Sequence, residues 1–116
     1  MFLAVAAFAV ILTGCAGIKN PNLSGKWGYR YGKDFSRTGS MMLTQTGSEL
    51  SGTSNDAEGQ AEVKGSIVGL VLSLQGKCPK TGKTYMINAK MSNEDEFEGT
   101  YTTSVGSTGK IRGKRE

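Results

Sequence analysis

Four carboxylates crowd together at Glu94, Asp95, Glu96 and Glu98, and four cations follow at Lys110, Arg112, Lys114 and Arg115. The first group has the composition of a calcium site, because hard cations take clustered carboxylate oxygens; the second has that of a patch for anions or lipid headgroups. Cys78 is a third chemical centre, with Lys77, Lys80 and Lys83 near enough in sequence to lower a thiol pKa and activate a nucleophile. The bland alternative for Cys78 is an inert, part-buried side chain in the loop containing Pro79, and that is the expectation adopted. The chain has no histidine, so it lacks the commonest general base near neutral pH and the commonest metal ligand. Serine–histidine and cysteine–histidine catalysis are thereby closed to it. Whether the charge runs form sites or a solvated face is decided by the strand faces they occupy.

The segments after about residue 22 show no apolar i, i+3, i+4, i+7 pattern. What recurs is short apolar–polar alternation bounded by Gly, Asn and Asp turns roughly every ten residues, which signals an all-β meander. Strands are expected at 23–31, 40–46, 49–54, 60–67, 70–75, 83–91, 96–103 and 109–115, a total of eight. A pattern of apolar, any, Gly, polar recurs within them at Leu23–Lys26, Leu50–Thr53, Val63–Ser66, Phe97–Thr100 and Ile111–Lys114. The apolar residue and the glycine are two apart and share a face.

Turn geometry gives the pairing. A two-residue turn at Gly47-Ser48, with glycine at positive φ, sets Leu43 opposite Gly52. A turn at Val68-Gly69 sets Gly65 opposite Leu72, Ile67 opposite Leu70 and Val63 opposite Leu74. A longer loop about Val105 sets Ile111 against Gly99 and Phe97 against Gly113. Large residues mated with glycine are how a narrow, strongly coiled barrel fills its interior. The expected fold is therefore all-β, a single eight-stranded antiparallel up-and-down barrel. The same register puts Glu98 opposite Arg112 and Glu96 opposite Lys114 on the outer face, so the charge runs are expected to pair across strands rather than bind calcium or lipid.

With 14 Lys and Arg against 10 Asp and Glu, the net charge is +4. That is mild, and without a one-sided basic cluster nucleic acid is set aside as a partner. The length from Cys15 onward suits one small domain.

Ahead of the strands, Leu12-Thr13-Gly14-Cys15 closes an uncharged apolar run from Phe2 to Leu12. Such a run spans about half of the ~30 Å hydrocarbon core as a helix, too short to cross a membrane, and it falls within the ~7–15 residues of a signal-peptide core. The alternatives are a buried N-terminal strand and a plain secretory signal. The motif resembles the lipobox of bacterial lipoproteins. That resemblance implies a signal peptide at 1–14 and diacylglycerol on Cys15, with palmitate among its acyl chains. Residues 15–22 would then form a tether reaching at most about 25 Å over Ala16 to Asn22, with the domain at 23–116. It also implies a cell-envelope location, at the outer membrane if the host has two, because Ala16 does not resemble the Asp of the inner-membrane retention signal. No other cofactor and no metal are expected. Lipidation of Cys15 would leave Cys78 as the sole thiol.

Leu23-Ser24-Gly25-Lys26-Trp27 resembles the Gly-x-Trp signature of calycins, the superfamily of lipocalins, fatty-acid-binding proteins and avidins. The resemblance implies a tryptophan at one barrel end covered by a basic residue of the last strand, here Trp27 and Arg115, with Arg112 as the fallback. A guanidinium over an indole contributes roughly 0.5–2 kcal/mol. Biotin binding is not implied, since the extra tryptophans and polar residues of avidins have no counterparts near Trp27. Inward parity gives Trp27, Tyr29, Tyr31, Met41, Leu43, Gln45, Leu50, Val63, Ile67, Leu70, Leu72, Leu74, Tyr85, Ile87, Met91, Phe97, Tyr101 and Ile111. Of these, Tyr29, Tyr31, Gln45, Tyr85 and Tyr101 form the candidate pocket, or else are core residues satisfied by loops and water.

The expected function is a membrane-anchored, non-enzymatic envelope lipoprotein whose barrel binds a small apolar or amphipathic ligand or lipid. The alternative is a filled barrel whose loops, Gly32 to Gly39 and Gly76 to Gly82, contact an envelope protein, as inhibitory or phage-excluding lipoproteins do. A continuous cavity above about 300 Å³ would favour the ligand, and a filled interior the protein partner. Catalysis is least expected, with no histidine and no inward pair of carboxylates.

Overall fold

The computed structural model describes residues 21–57 and 59–116, so Cys15, the expected signal peptide at 1–14 and most of the expected tether at 15–22 lie outside the described residues. The strands are β1 (Gly25–Tyr31), β2 (Arg37–Thr46), β3 (Glu49–Asp56), β4 (Gly59–Val68), β5 (Val71–Lys77), β6 (Thr84–Asn93), β7 (Glu96–Thr103) and β8 (Thr108–Arg115). They form a closed barrel in which each strand pairs antiparallel with the next and β8 closes onto β1. The architecture is the eight-stranded up-and-down barrel expected from the alternation.

Two of the three turn arguments give the observed register. Leu43 faces Gly52 across the Gly47-Ser48 turn, where Gly47 has φ 63°. Ile111 faces Gly99, Phe97 faces Gly113, Arg112 faces Glu98 and Lys114 faces Glu96. The third is corrected. The β4–β5 turn is Gly69-Leu70, with Val68 paired to Val71, and the register moves by two residues. Gly65 therefore meets Leu74 rather than Leu72, Ile67 meets Leu72 rather than Leu70, and Val63 meets Gly76 rather than Leu74. The physical reason lies in the first central position of a two-residue turn, which needs positive φ: Gly69 takes it at 61°, whereas β-branched Val68 there would be strained. Leu70 accordingly sits at the tip, 54% exposed, and not in the core.

The interior is layered. At the end holding the start of β1 and the close of β8, Leu23, Trp27, Ile67, Leu72 and Phe97 are almost fully buried. Leu23, expected to begin β1, instead folds inward ahead of it. Toward the other end the inward residues become Tyr29, Tyr31, Tyr85 and Tyr101, the last two packed only partly against the core. Strands β2 and β3 extend further at this end than the alternation indicated, to Arg37 and Asp56.

The corrected turn makes a direct prediction. Leu72→Ala should cost about 2–5 kcal/mol as a buried truncation, whereas Leu70→Ser should change stability by less than about 0.5 kcal/mol. Urea denaturation of the two variants checks this, and equal losses would refute the Gly69-Leu70 turn.

Candidate functional site

The two barrel ends are built differently. At the closed end the Trp27 indole Nε1–H donates to the Leu23 carbonyl at 2.9 Å, and its ring lies 5.7 Å from that of Phe97. The Arg115 guanidinium stands over the indole, 4.7 Å from the ring centroid. Its N–H groups donate to the carbonyls of Asn22 (2.6 Å), Ser24 (3.0 Å) and Glu94 (3.0 Å), and to Asp95 Oδ1 (2.8 Å). One side chain thus ties the last strand to the segment before β1 and to the β6–β7 turn. Arg112 points outward instead, its guanidinium 4.2 Å from the Phe35 ring centroid. Within the carboxylate run, Asp95 is engaged by Arg115, and Glu96 and Glu98 face cations across the β7–β8 ladder.

Gln45 belongs to this closed end, which corrects its grouping with the tyrosines. Its Oε1 accepts from the Leu23 backbone N–H at 2.7 Å and its Nε2 donates to the Gly47 carbonyl at 2.9 Å. Parity alone gave its face and not its height along the barrel.

The open end holds a cup of about 250 Å³. Tyr29, Tyr31, Tyr85 and Tyr101 line it together, as grouped from the sequence, above a floor that includes Ala61, Ile87 and Ile111. Their positions follow from the strand glycines. Tyr29 pairs with Gly39, Tyr85 with Gly76 and Tyr101 with Gly109, and each ring lies where a Cβ on its glycine partner would have to be. The rings therefore lie against the wall instead of filling the axis. Tyr31 packs edge-on to Tyr101 at 5.7 Å and tilted to Tyr29 at 5.8 Å.

Two of the hydroxyls are held by hydrogen bonds. Tyr29 donates to Asp56 Oδ2 at 2.7 Å, and Tyr85 and Ser54 share a hydrogen bond of 2.7 Å. Burial pushes the Tyr29 phenol far above its ordinary value, and the Asp56 carboxylate adds to the shift by accepting its proton. Burial also raises Tyr85, against a smaller opposing effect of the Ser54 hydrogen bond. Ser54 is fully buried, and neither it nor Asp56 was expected in the site. Continuing the alternation of Leu50 and Gly52 by two steps would have found both. Cys78 is buried in the cup wall, in a loop closed by its N–H to the Lys83 carbonyl (2.9 Å) and by the Gly82 N–H to its own carbonyl (2.8 Å). Lys33, Arg37 and Lys83 complete the lining beside Asp56.

Solved structures that this chain resembles include designed proteins. A redesigned β-barrel superposes with a TM-score of 0.68 over 81% of this chain and 91% of that one, at 15% identity. A second redesigned barrel, bound to DFHBI, gives 0.60 over 80% and 94% at 14% identity. A de novo designed fluorescence-activating barrel gives 0.60 over 82% and 94% at 16% identity. At these identities the likeness establishes the fold. No protein-family model and no curated protein matches the sequence.

The tyrosine environment sets a pH dependence. Below about pH 10 the phenols are neutral folded and unfolded; above it the unfolded chain ionises while Tyr29 and Tyr85 are held protonated, so stability falls as pH rises. Tyrosinate absorbance, compared among wild type, Tyr29→Phe and Tyr85→Phe, should show these two residues ionising only as the fold is lost. Ionisation of both near pH 10 with an intact far-UV spectrum would refute the buried hydrogen bonds.

Proposed function

We propose that this protein is a non-enzymatic, membrane-anchored envelope lipoprotein whose barrel holds one small amphipathic molecule in the tyrosine cup. The observation that carries the ligand reading is the asymmetry of the barrel: one end is plugged by Leu23, Trp27 and Arg115, and the other opens onto four tyrosines, of which Tyr29 and Tyr85 have hydrogen-bonded hydroxyls. An eight-stranded barrel has room for a packed interior or for one small ligand. At about 250 Å³ the cup falls short of the ~300 Å³ set for the ligand reading, yet it is not filled, so that reading is kept for a compact occupant and not a long-chain lipid. The two designed barrels that are described as bound to DFHBI and as fluorescence-activating support the idea that barrels of this size accept a small molecule.

The anchoring part of the proposal rests on Leu12-Thr13-Gly14-Cys15. Residues 21–24 lead into the closed end, where the β4–β5 tip also exposes Val68, Leu70 and Val71. An anchor at Cys15 would hold this apolar tip toward the bilayer and leave the cup facing away from it. The filled closed half of the barrel favours the second reading, an interaction lipoprotein whose loops about the cup mouth meet an envelope protein.

Two experiments test the proposal. Native mass spectrometry of the full chain purified without detergent should show a retained or added small molecule; an apo mass under all additions would remove the ligand reading. Radiolabelled palmitate should enter the wild type and not Cys15→Ala, and equal labelling of both would remove the anchor.

A further inference from the structure

We infer that the tip of the β4–β5 hairpin, Val68 to Val71, enters the surface of the bilayer as a second membrane contact. This rests on the anchoring reading for a bilayer within reach, and deepens it by naming the part of the barrel that meets lipid. Among the described residues, six large apolar side chains are more than half exposed. Met42, Met86 and Val105 stand singly, which needs no explanation. Val68 (67%), Leu70 (54%) and Val71 (52%) instead gather about one turn, and clustered exposed apolar groups mark a membrane or protein contact. The turn itself does not call for them. Glycine is needed only at its first central position, taken by Gly69, and the second accepts a polar residue as readily as leucine.

The hairpin is graded along its length as a membrane interface is. Its outward pairs run from Val68–Val71 at the tip through Ser66–Ser73 to Lys64–Gln75 and Glu62–Lys77. Successive outward pairs are two residues apart, about 7 Å along the strand. An element lying at the bilayer surface buries its apolar part about 5–10 Å into the boundary between headgroups and acyl chains. With the tip at that depth, the two serine hydroxyls lie among the headgroups and Lys64 lies in water. The backbone suits this placement as well. The Leu70 carbonyl accepts the Met91 N–H at 2.8 Å, and the Ile67 N–H donates to the Ser48 carbonyl at 2.9 Å. The tip is thus braced on strands to either side, and the Leu70 carbonyl has a partner within the fold where lipid would offer none.

Position within the barrel names lipid as the occupant. The other two turns at the closed end, Gly47-Ser48 beside Glu49 and Glu94-Asp95 beside Glu96, are polar. In the closed order β4 and β5 lie four strands from β8 and β1, so the apolar tip stands across the barrel from residues 21–24, where the chain arrives from Cys15. Residues 16–22 reach at most about 25 Å when fully extended. That length keeps this rim close to any bilayer that holds Cys15. A single tether sets a distance and leaves the barrel free to pivot, whereas a second contact on the far side of the same rim removes that freedom and turns the cup mouth away from lipid. With Glu94 and Asp95 on the neighbouring turn, burial of apolar surface and not attraction to anionic headgroups drives the contact.

The test attaches the environment-sensitive dye NBD to the full-length protein at Leu70→Cys or, as the far-end control, at Val105→Cys, each combined with Cys78→Ser, and reconstitutes the protein in phosphatidylcholine vesicles. Palmitate labelling is run on the same preparations, and near-UV circular dichroism certifies each fold. At position 70 the emission should rise severalfold, shift to the blue and be quenched by lipid carrying a doxyl group high on its acyl chain; at position 105 it should stay as in water. Adding Val68→Ser and Val71→Ser should remove most of the change at position 70, and high salt should leave it intact because the contact is apolar. Water-like emission at position 70 in palmitate-labelled, vesicle-bound protein would overturn the inference and leave the anchor standing. Stronger quenching at position 105 than at 70 would overturn it, as would loss of the change in high salt. A change that follows protein concentration without lipid would assign the tip to a second copy of the chain and overturn it too. Protein without palmitate ends the anchor reading, and the tip contact then stands or falls on whether added vesicles alone produce the change at position 70.

Discussion

Everything in this barrel depends on aromatic rings laid over bare backbone. Phe97 lies across Gly113, Tyr29 across Gly39, Tyr85 across Gly76 and Tyr101 across Gly109, each pair in register on neighbouring strands. In a tube of eight strands the inward side chains compete for a small cross-section, and a Cβ at any of these glycines would meet the facing ring. Gly52, Gly65 and Gly99 solve a related problem: there a Cβ would strike the carbonyl oxygen of Met42, Ser73 or Asn88 on the adjacent strand. Close strand approach of this sort accompanies the hard coiling that closes a small barrel. Glycine thus serves here as space, taken by a ring in one set and by backbone in the other.

The same device yields a plug at one end and a cup at the other. Near the start of β1 and the close of β8 the axis is filled by Leu23 and Trp27, and Arg115 seals the seam where β8 returns to β1. Its hydrogen bonds reach three carbonyls in two backbone segments, so this guanidinium substitutes for the backbone pairing that residues 21–24 do not make. At the other end the rings lie against the wall and, among the described residues, no apolar side chain comparable to Leu23 folds in behind them, so the axis stays open. Outside, the facing pairs Glu98–Arg112 and Glu96–Lys114 contribute only about 0.2–1 kcal/mol each, yet any slip of β8 would place like charges or bulky groups wrongly.

The sequence carried the barrel and most of its register because two independent signals agreed: alternation fixed the faces, and glycine at positive φ fixed the turns at Gly47 and near Val105. It misplaced the β4–β5 turn because Val68-Gly69 and Gly69-Leu70 both contain the glycine, and only its order within the turn separates them. It grouped Gln45 with the tyrosines because parity says nothing of height. It missed Ser54, Asp56 and Arg37 for a more instructive reason. Ser54 lay inside the expected strand, but a lone serine gives an inward face no hydropathy signal; Asp56 and Arg37 lay beyond the expected ends, because polar inward residues at a strand end are indistinguishable by hydropathy from the start of a loop, so β2 and β3 were read too short where the cup is formed. Local rules of sequence reading fail most where a protein departs from a simple core.

That departure has an energetic logic. The Tyr29 and Tyr85 hydroxyls and the buried Ser54 hydroxyl would each be costly in an apolar interior without a partner, and they find one another or Asp56. A leucine or phenylalanine at the same positions would fill the axis and need no such matching. Both polar partners lie on β3, two residues apart and facing inward, so one strand anchors phenols from β1 and from β6 on opposite sides of the opening. The polar layer therefore works as a brace across the mouth, keeping the rings at the wall and the floor of Ile87 and Ile111 accessible. A hydrogen-bonded brace can hold a barrel open, whereas apolar packing at the same height would pull it shut.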